Sequence, residues 1–289
     1  MIFGSRYFLL VGAVLLLVFL RTPVKTPLKI SGTQPLVFFE KDYFFTGILN
    51  AKQGKNPLNN RIAGGIIPHH LLASNIIADF FSRLAVQKPT TVILIGPNHY
   101  EKGDDDVLSS DFRWQTPFGV VSPDIKIITE LKNKSFLQID NAIAEKEHSV
   151  AGIMPFIKYY VPDAVVVPLI IKSGLSLEKI NLLATSIAQF KGNVVVIASV
   201  DFSHYLNSAE AQTNDAESLL ALRQYDFERL LSFRTNNEHL DSPASIVLLL
   251  KTMQQKGTTQ SEILQHTNSG IIQNKPFQQT TSYFGIAYY

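Results

Sequence analysis

The chain carries seven histidines and no cysteine. Any metal it takes must therefore rest on imidazole and carboxylate, and thiolate nucleophiles and disulfides are excluded. Histidines cluster where apolar runs give way to polar residues. His69 and His70 follow Pro68 in "GGIIPHHLLAS" (64–74), and His99 closes "ILIGPNH" (93–99). His204 lies three residues after Asp201 in "ASVDFSHY" (198–205), and His148 follows Glu147 in "EKEHSV" (145–150). Neutral imidazoles with a carboxylate suit a divalent first-row metal. Two histidines and one acid leave open positions for substrate and dioxygen on iron(II), or for water on zinc. Each residue also has a plainer reading: Asp201 as a turn former or cap, Glu147 as a first-turn acid favoured by the helix dipole, His70 as a solvent-facing residue at a helix start. The joint arrangement favours a shared site, because several hydrophobic strands ending in imidazoles would be an odd coincidence in a purely structural protein. His239 and His266 have no such context and read as structural or solvent-exposed.

The elements that must position these groups follow from the apolar pattern. β-Branched runs at 61–67, 90–96, 164–171 and 193–200 read as buried strands, each bounded by Gly, Pro or polar residues. Strands of that kind belong to a sheet covered on both faces. Between them the spacing predicts helices over Leu71–Val86, Asp124–Lys134, His148–Tyr160 and Leu177–Phe190. Two more follow over Ser208–Arg223 and Pro243–Gln255, then strands at 262–267 and 282–289. Strand alternating with helix is the signature of an α/β fold, and ligands in such sheets gather beyond the carboxyl ends of the strands. Three of the histidine sites lie at such ends, and His148 begins a predicted helix.

Bulk composition narrows the class. A hydrophobic content of 46% over 289 residues supports a substantial core. The 26 basic and 24 acidic residues are mixed along the chain, with no basic stripe, so nucleic acid is not an expected partner. No phosphate loop, dinucleotide fingerprint or GxSxG elbow is present. The run Tyr7–Leu20 is uncharged and apolar. With the residues before it, it approaches the roughly 20 that a bilayer needs. No small-residue cleavage pattern follows, so it reads as an uncleaved membrane anchor in preference to a cleaved signal peptide. The expected organisation is an N-terminal segment over 1–30 and an α/β domain over 31–289, anchored in a membrane with the domain on the extracytoplasmic side.

In this order the motifs resemble the Memo family, also known as AmmeMemoRadiSam system protein B, which is similar in fold to the class III extradiol ring-cleaving dioxygenases. The resemblance runs from about residue 60 to the end through "IIPHH", "ILIGPNH", "LSSDFRWQTPFG", "EHSVAGIMPFI", "ASVDFSHY" and "TSYFGIAYY". It implies a central mixed sheet flanked by helices, with His69 and His99 as metal ligands. His70 stands where the family commonly has alanine. Asp201 and His204 match a pair at the pocket, His204 as the acid/base, and His148 matches a pocket histidine. The third ligand position, often cysteine in Memo proteins and glutamate in the dioxygenases, falls at Asp241. That residue could complete a two-histidine, one-carboxylate set or could cap the helix that follows it. Ile153 replaces a second histidine that many relatives carry. The implied cofactor is a divalent metal, iron(II) first, with zinc or copper as alternatives. The implied function is a metal-dependent oxidoreductase acting on a phenol- or enol-like small molecule. The alternative is a non-catalytic module that binds metal, ligand or a partner in the same crevice. Association with a radical-enzyme system is implied by the family name alone.

Overall fold

A computed structural model describes residues 27–51, 61–235 and 238–289. Among these residues twelve strands fall into two sheets. A small sheet joins β1 (Thr33–Pro35), β5 (Arg113–Thr116) and β6 (Gly119–Val121). The main sheet holds β2 (Gly64–Ile67), β3 (Thr91–Pro97), β4 (Val107–Ser109), β7 (Gln138–Ile139), β8 (Val165–Ile171), β9 (Val194–Ser199), β10 (His204–Leu206), β11 (Ser261–Asn268) and β12 (Thr280–Tyr288). Its order is β10-β12-β2-β9-β3-β8-β4-β7, with β11 added on β12. The centre, β2-β9-β3-β8, is parallel, and β12 joins β2 antiparallel, so the sheet is mixed.

Alternation along the central strands builds two core layers. Ile66, Ile93, Ile95, Val167, Leu169 and Val196 face one layer. It is filled from helices Ile125–Asn133, Leu177–Ala188 and Pro243–Lys256. Ile67, Val92, Leu94, Val166, Val195 and Ile197 face the other, filled from helices Lys41–Asn50, Ser74–Ala85 and Met154–Tyr160. Strands buried on both faces carry apolar residues at every position, which is why they read as continuous runs in the sequence.

Two differences from the expected elements bear on the site. The helix expected over His148–Tyr160 is split into His148–Ala151 and Met154–Tyr160. Pro155 lacks an N–H and fits only the first turn of a helix, so a new helix starts there. The helix Lys41–Asn50 was not expected. It packs on Ser74–Ala85, where the Ser74 hydroxyl donates to the Tyr43 carbonyl at 2.6 Å.

The membrane expectation is corrected. No helix among the described residues is long and apolar enough to cross a membrane. The longest described helix, Ser208–Gln224, has 17 residues and carries Glu210, Asp215, Glu217 and Arg223. The Tyr7–Leu20 run itself lies outside the described residues, so neither the membrane anchoring nor the extracytoplasmic placement has support.

Candidate metal centre

Three adjacent parallel strands deliver the site. β2 ends at Ile67 and is followed by Pro68 and His69; β3 ends at Pro97 and is followed by Asn98 and His99; β9 ends at Ser199 and is followed by Val200 and Asp201. The crossover order β2-β9-β3 places these loops side by side at the carboxyl edge. His148 arrives from a different direction, at the first position of helix His148–Ala151. That helix is seated directly on β3. Ser149 Oγ donates to the Pro97 carbonyl at 3.1 Å, and Ser199 Oγ donates to the Ser149 carbonyl at 2.6 Å. The seat requires glycine at position 96, where a Cβ would lie 2.5 Å from Ser149 Oγ.

The rings of His69, His99 and His148 meet, with centroids 5.0, 5.2 and 4.2 Å apart for the pairs 69–99, 69–148 and 99–148. Asp241 reaches the same point from the loop before helix Pro243–Lys256. Its Oδ2 lies 3.2 Å from His69 Nε2 and 3.8 Å from His99 Nε2. Among the described residues two overlapping groups could hold a metal, His69/His99/His148 and His69/Asp201/Asp241, with His69 common to both. The choice between ligand and cap at position 241 is clarified by its neighbour: Ser242 is the N-cap, its hydroxyl accepting the Ser245 N–H. Asp241 is thereby free to turn inward. Its loop is tied to the β9 end by a Phe202–Leu240 bridge, by Asp241 N–H donating to the Asp201 carbonyl, and by Asp201 N–H donating to Asp241 Oδ2.

The hydrogen bonds behind the rings decide which nitrogen faces the centre. His69 Nδ1 lies 3.2 Å from the Ser199 carbonyl oxygen, which can only accept, so Nδ1 carries a proton. His99 Nδ1 likewise donates to Glu147 Oε1 at 2.8 Å, and the other oxygen of Glu147 accepts the His99 backbone N–H at 3.0 Å. Both Nε2 atoms therefore turn to Asp241 as the potential metal-binding nitrogens. Asp241 Oδ1 is buried with no hydrogen-bond partner among the described residues. A buried carboxylate oxygen without a donor is costly unless a cation meets it.

Electrostatics agree with a site that wants positive charge. Burial alone would lower His69, but the Asp201 and Asp241 carboxylates outweigh it and raise its pKa to about 8. His99 also loses solvation, yet hydrogen bonds and charge from Asp241 and Glu147 raise it to about 10. Burial would raise both acids, but the imidazoles hold Asp241 well below the usual carboxylate range and take Glu147 to about 2. His148 is pushed down to about 4 by burial and by its two imidazole neighbours, so it stays neutral.

The centre opens on a cavity of about 580 Å³. His69, His70, His99, His148, Asp201 and His204 line it on one side, and Val37, Phe38, Phe39 and Tyr43 on another. His204 pairs with Thr281 across β10 and β12, and its Nδ1 is buried with no protein partner among the described residues. Asp201 is engaged with His69: its Oδ1 accepts the His69 N–H at 3.0 Å, and its Oδ2 lies 3.6 Å from His69 Nε2. His266 and His239 lie elsewhere. His266 Nε2 is 2.7 Å from the buried Asp215, and His239 stacks on Phe233.

The double role of Glu147 was not read from the sequence, where it passed as a helix-start acid. It does cap Ser149 N–H, yet it also grips His99 from 48 residues away. The Val37–Tyr43 wall gave no signal beyond a run of aromatic residues.

The family model for Memo-like proteins matches residues 45–287. The chain belongs to the Memo family. This Memo protein is 26% identical over 223 residues to a MEMO1 family protein of Nitrosopumilus maritimus, covering 74% of this chain and 80% of that one. Over 225 residues it is 29% identical to one of Pyrobaculum arsenaticum, covering 74% and 79%. With one of Caldivirga maquilingensis it shares 27% over 255 residues, covering 83% and 89%. Among solved structures, an uncharacterized protein of Escherichia coli K12 matches with a TM-score of 0.51 at 14% identity, covering 78% of this chain and 99% of that one. That likeness shows the fold alone. Val37, Phe38, Phe39, Glu40 and Tyr43, which line the cavity, precede the matched stretch of this Memo chain.

Proposed function

We propose that this Memo protein binds one divalent metal through His69, His99 and Asp241, and that with iron(II) it is an oxidoreductase acting on a small phenol- or enol-like substrate. The observation that carries the metal reading is the convergence of two Nε2 atoms on one buried carboxylate. Metal bonds of about 2.0–2.2 Å place neighbouring ligand atoms about 3–3.5 Å apart, against 3.2 and 3.8 Å from Asp241 Oδ2 to the two nitrogens; the set takes His69 and His99 from one of the two groups above and Asp241 from the other. The donor set is hard and nitrogen-rich, which suits iron(II) or zinc better than a thiophilic ion. When bound, iron(II) supplies a Lewis acid and an electron source at the foot of the cavity.

The protein's own groups divide the remaining work. Ser199 and Glu147 fix the His69 and His99 rings from behind. Asp201 pins the His69 backbone and holds the Asp241 loop in place. His204, which lines the cavity, is the group to take a proton from a substrate hydroxyl. His148, held neutral, is a second proton acceptor beside the metal. The apolar wall of Val37, Phe38 and Phe39 excludes water and suits a substrate with one apolar face and one oxygen-bearing edge.

Oxygen uptake tests the catalytic part. Protein loaded anaerobically with iron(II) should consume oxygen with at least one member of a panel of simple catechols, and His204→Gln should lower the turnover rate about 10²–10⁴-fold with iron content unchanged. Iron bound in full with no uptake across the panel would reject the enzyme reading and leave a metal-binding module.

A further inference from the structure

His70 stands one residue after a proposed metal ligand, yet its surroundings give it a separate task. It lines the same cavity as His69, His99, His148 and His204. Its Nδ1 is hydrogen-bonded to the phenol oxygen of Tyr283, a residue with no exposed surface. The imidazole packs edge-on against that ring, with centroids 5.6 Å apart.

The direction of this hydrogen bond follows from what a buried phenol requires. Geometry gives the phenol oxygen one hydrogen-bond partner among the described residues, the His70 ring. A buried phenol must place its own proton on an acceptor, and Nδ1 of His70 is the acceptor in reach. Burial, reinforced by the Asp201 charge, pushes Tyr283 far above the usual phenol range, so the O–H is retained. An imidazole that accepts at Nδ1 carries its proton at Nε2. His70 is exposed and lines the cavity, and among the described residues no protein group meets that Nε2.

We propose that Tyr283 locks His70 in the Nε2–H form and that His70 recognises the ligand in the cavity by donating to an oxygen acceptor on it. His70 is then a specificity residue for oxygen-bearing ligands and takes no part in holding the metal. The tautomer stands on the burial of Tyr283 and its hydrogen bond to His70, while the ligand's place in the cavity rests on the metal reading given under Proposed function.

Two measurements separate these dependencies. The first is titration of zinc-loaded full-length protein with 4-nitrocatechol, followed by its absorbance, in wild type, His70→Ala, His70→Gln and Tyr283→Phe. The dissociation constant should rise about tenfold in His70→Ala, the loss of one hydrogen bond to an oxygen carrying partial charge. It should return to within about threefold of wild type in His70→Gln, which keeps a donor. Tyr283→Phe, which frees the imidazole to reverse its tautomer, should fall between the two. Zinc content should be equal in all four. Unchanged affinity in His70→Ala, or loss of zinc from it, overturns the proposal. The second is the nitrogen spectrum of metal-free, ¹⁵N-histidine-labelled full-length protein, assigned by difference with His70→Gln. It should show His70 protonated at Nε2 and bare at Nδ1, and the reverse pattern overturns the proposal. A wild-type protein that takes up no metal defeats the metal reading alone, since the nitrogen spectrum still decides the tautomer of His70.

Discussion

Asp241 and Ser242 are neighbours with separable roles. Ser242 caps helix Pro243–Lys256 through the Ser245 N–H, while Asp241 turns its carboxylate to His69 and His99. Ser242→Ala should cost about 0.5–2 kcal/mol of stability, read from urea unfolding, with metal affinity unchanged. Asp241→Asn should do the reverse, removing metal affinity. Proton linkage gives a second residue-level prediction. Metal takes the deprotonated imidazole, and in the metal-free protein His69 and His99 hold their protons up to about pH 8 and about pH 10. Binding therefore expels two protons below about pH 8 and one between about 8 and 10, so apparent affinity should climb about a hundredfold and then about tenfold per pH unit. The sign for stability is opposite. Both histidine pKa values are raised on folding, so their contribution in the metal-free protein is complete below about pH 6.5 and is lost as pH rises through about 8 to 10. A competition titration with a chelator of known pH dependence reads the first slope, and unfolding of the metal-free protein reads the second.

At the scale of elements, the site depends on the seat of helix His148–Ala151 on β3. Gly96→Ala forces Ser149 away from Pro97, displacing both His148 and the Glu147 that holds His99. It should lower stability by about 1–3 kcal/mol and weaken metal binding as well, whereas Glu147→Gln should weaken metal binding about 10–100-fold with a smaller effect on folding. What the sequence revealed here has a physical pattern. The central strands were legible because burial on both faces writes an unbroken apolar run, and His69, His99 and Asp201 were legible because they follow those runs directly. The split after Ala151 was not, since Gly152 and Pro155 sit inside a stretch whose apolar spacing still looks helical. The grip of Glu147 on His99 was hidden for another reason: it spans 48 residues, and periodicity carries no record of tertiary contact.

Across the whole molecule, the cavity is assembled from pieces far apart in the chain. Val37, Phe38, Phe39 and Tyr43 supply the apolar wall, the loops after β2, β3 and β9 supply His69, His70, His99 and Asp201, helix His148–Ala151 and β10 supply His148 and His204, and the loop before the Pro243–Lys256 helix brings Asp241 against His69 behind them. The family resemblance captured the motifs but not the wall, because Val37–Tyr43 precede the stretch that the Memo model matches. Metal should bind the folded chain in preference to the unfolded one, since the ligands converge only on folding. A metal concentration about 100 times the dissociation constant would add about 2.7 kcal/mol to stability, visible as a rise in melting temperature. The central claim is that His69, His99 and Asp241 hold one metal, and elemental analysis after anaerobic reconstitution with iron(II) and removal of loose metal tests it most directly. The account predicts one equivalent per chain in the wild type and almost none in folded His69→Ala, His99→Ala and Asp241→Asn. A wild type without stoichiometric metal, or three variants that hold as much as the wild type, would contradict it.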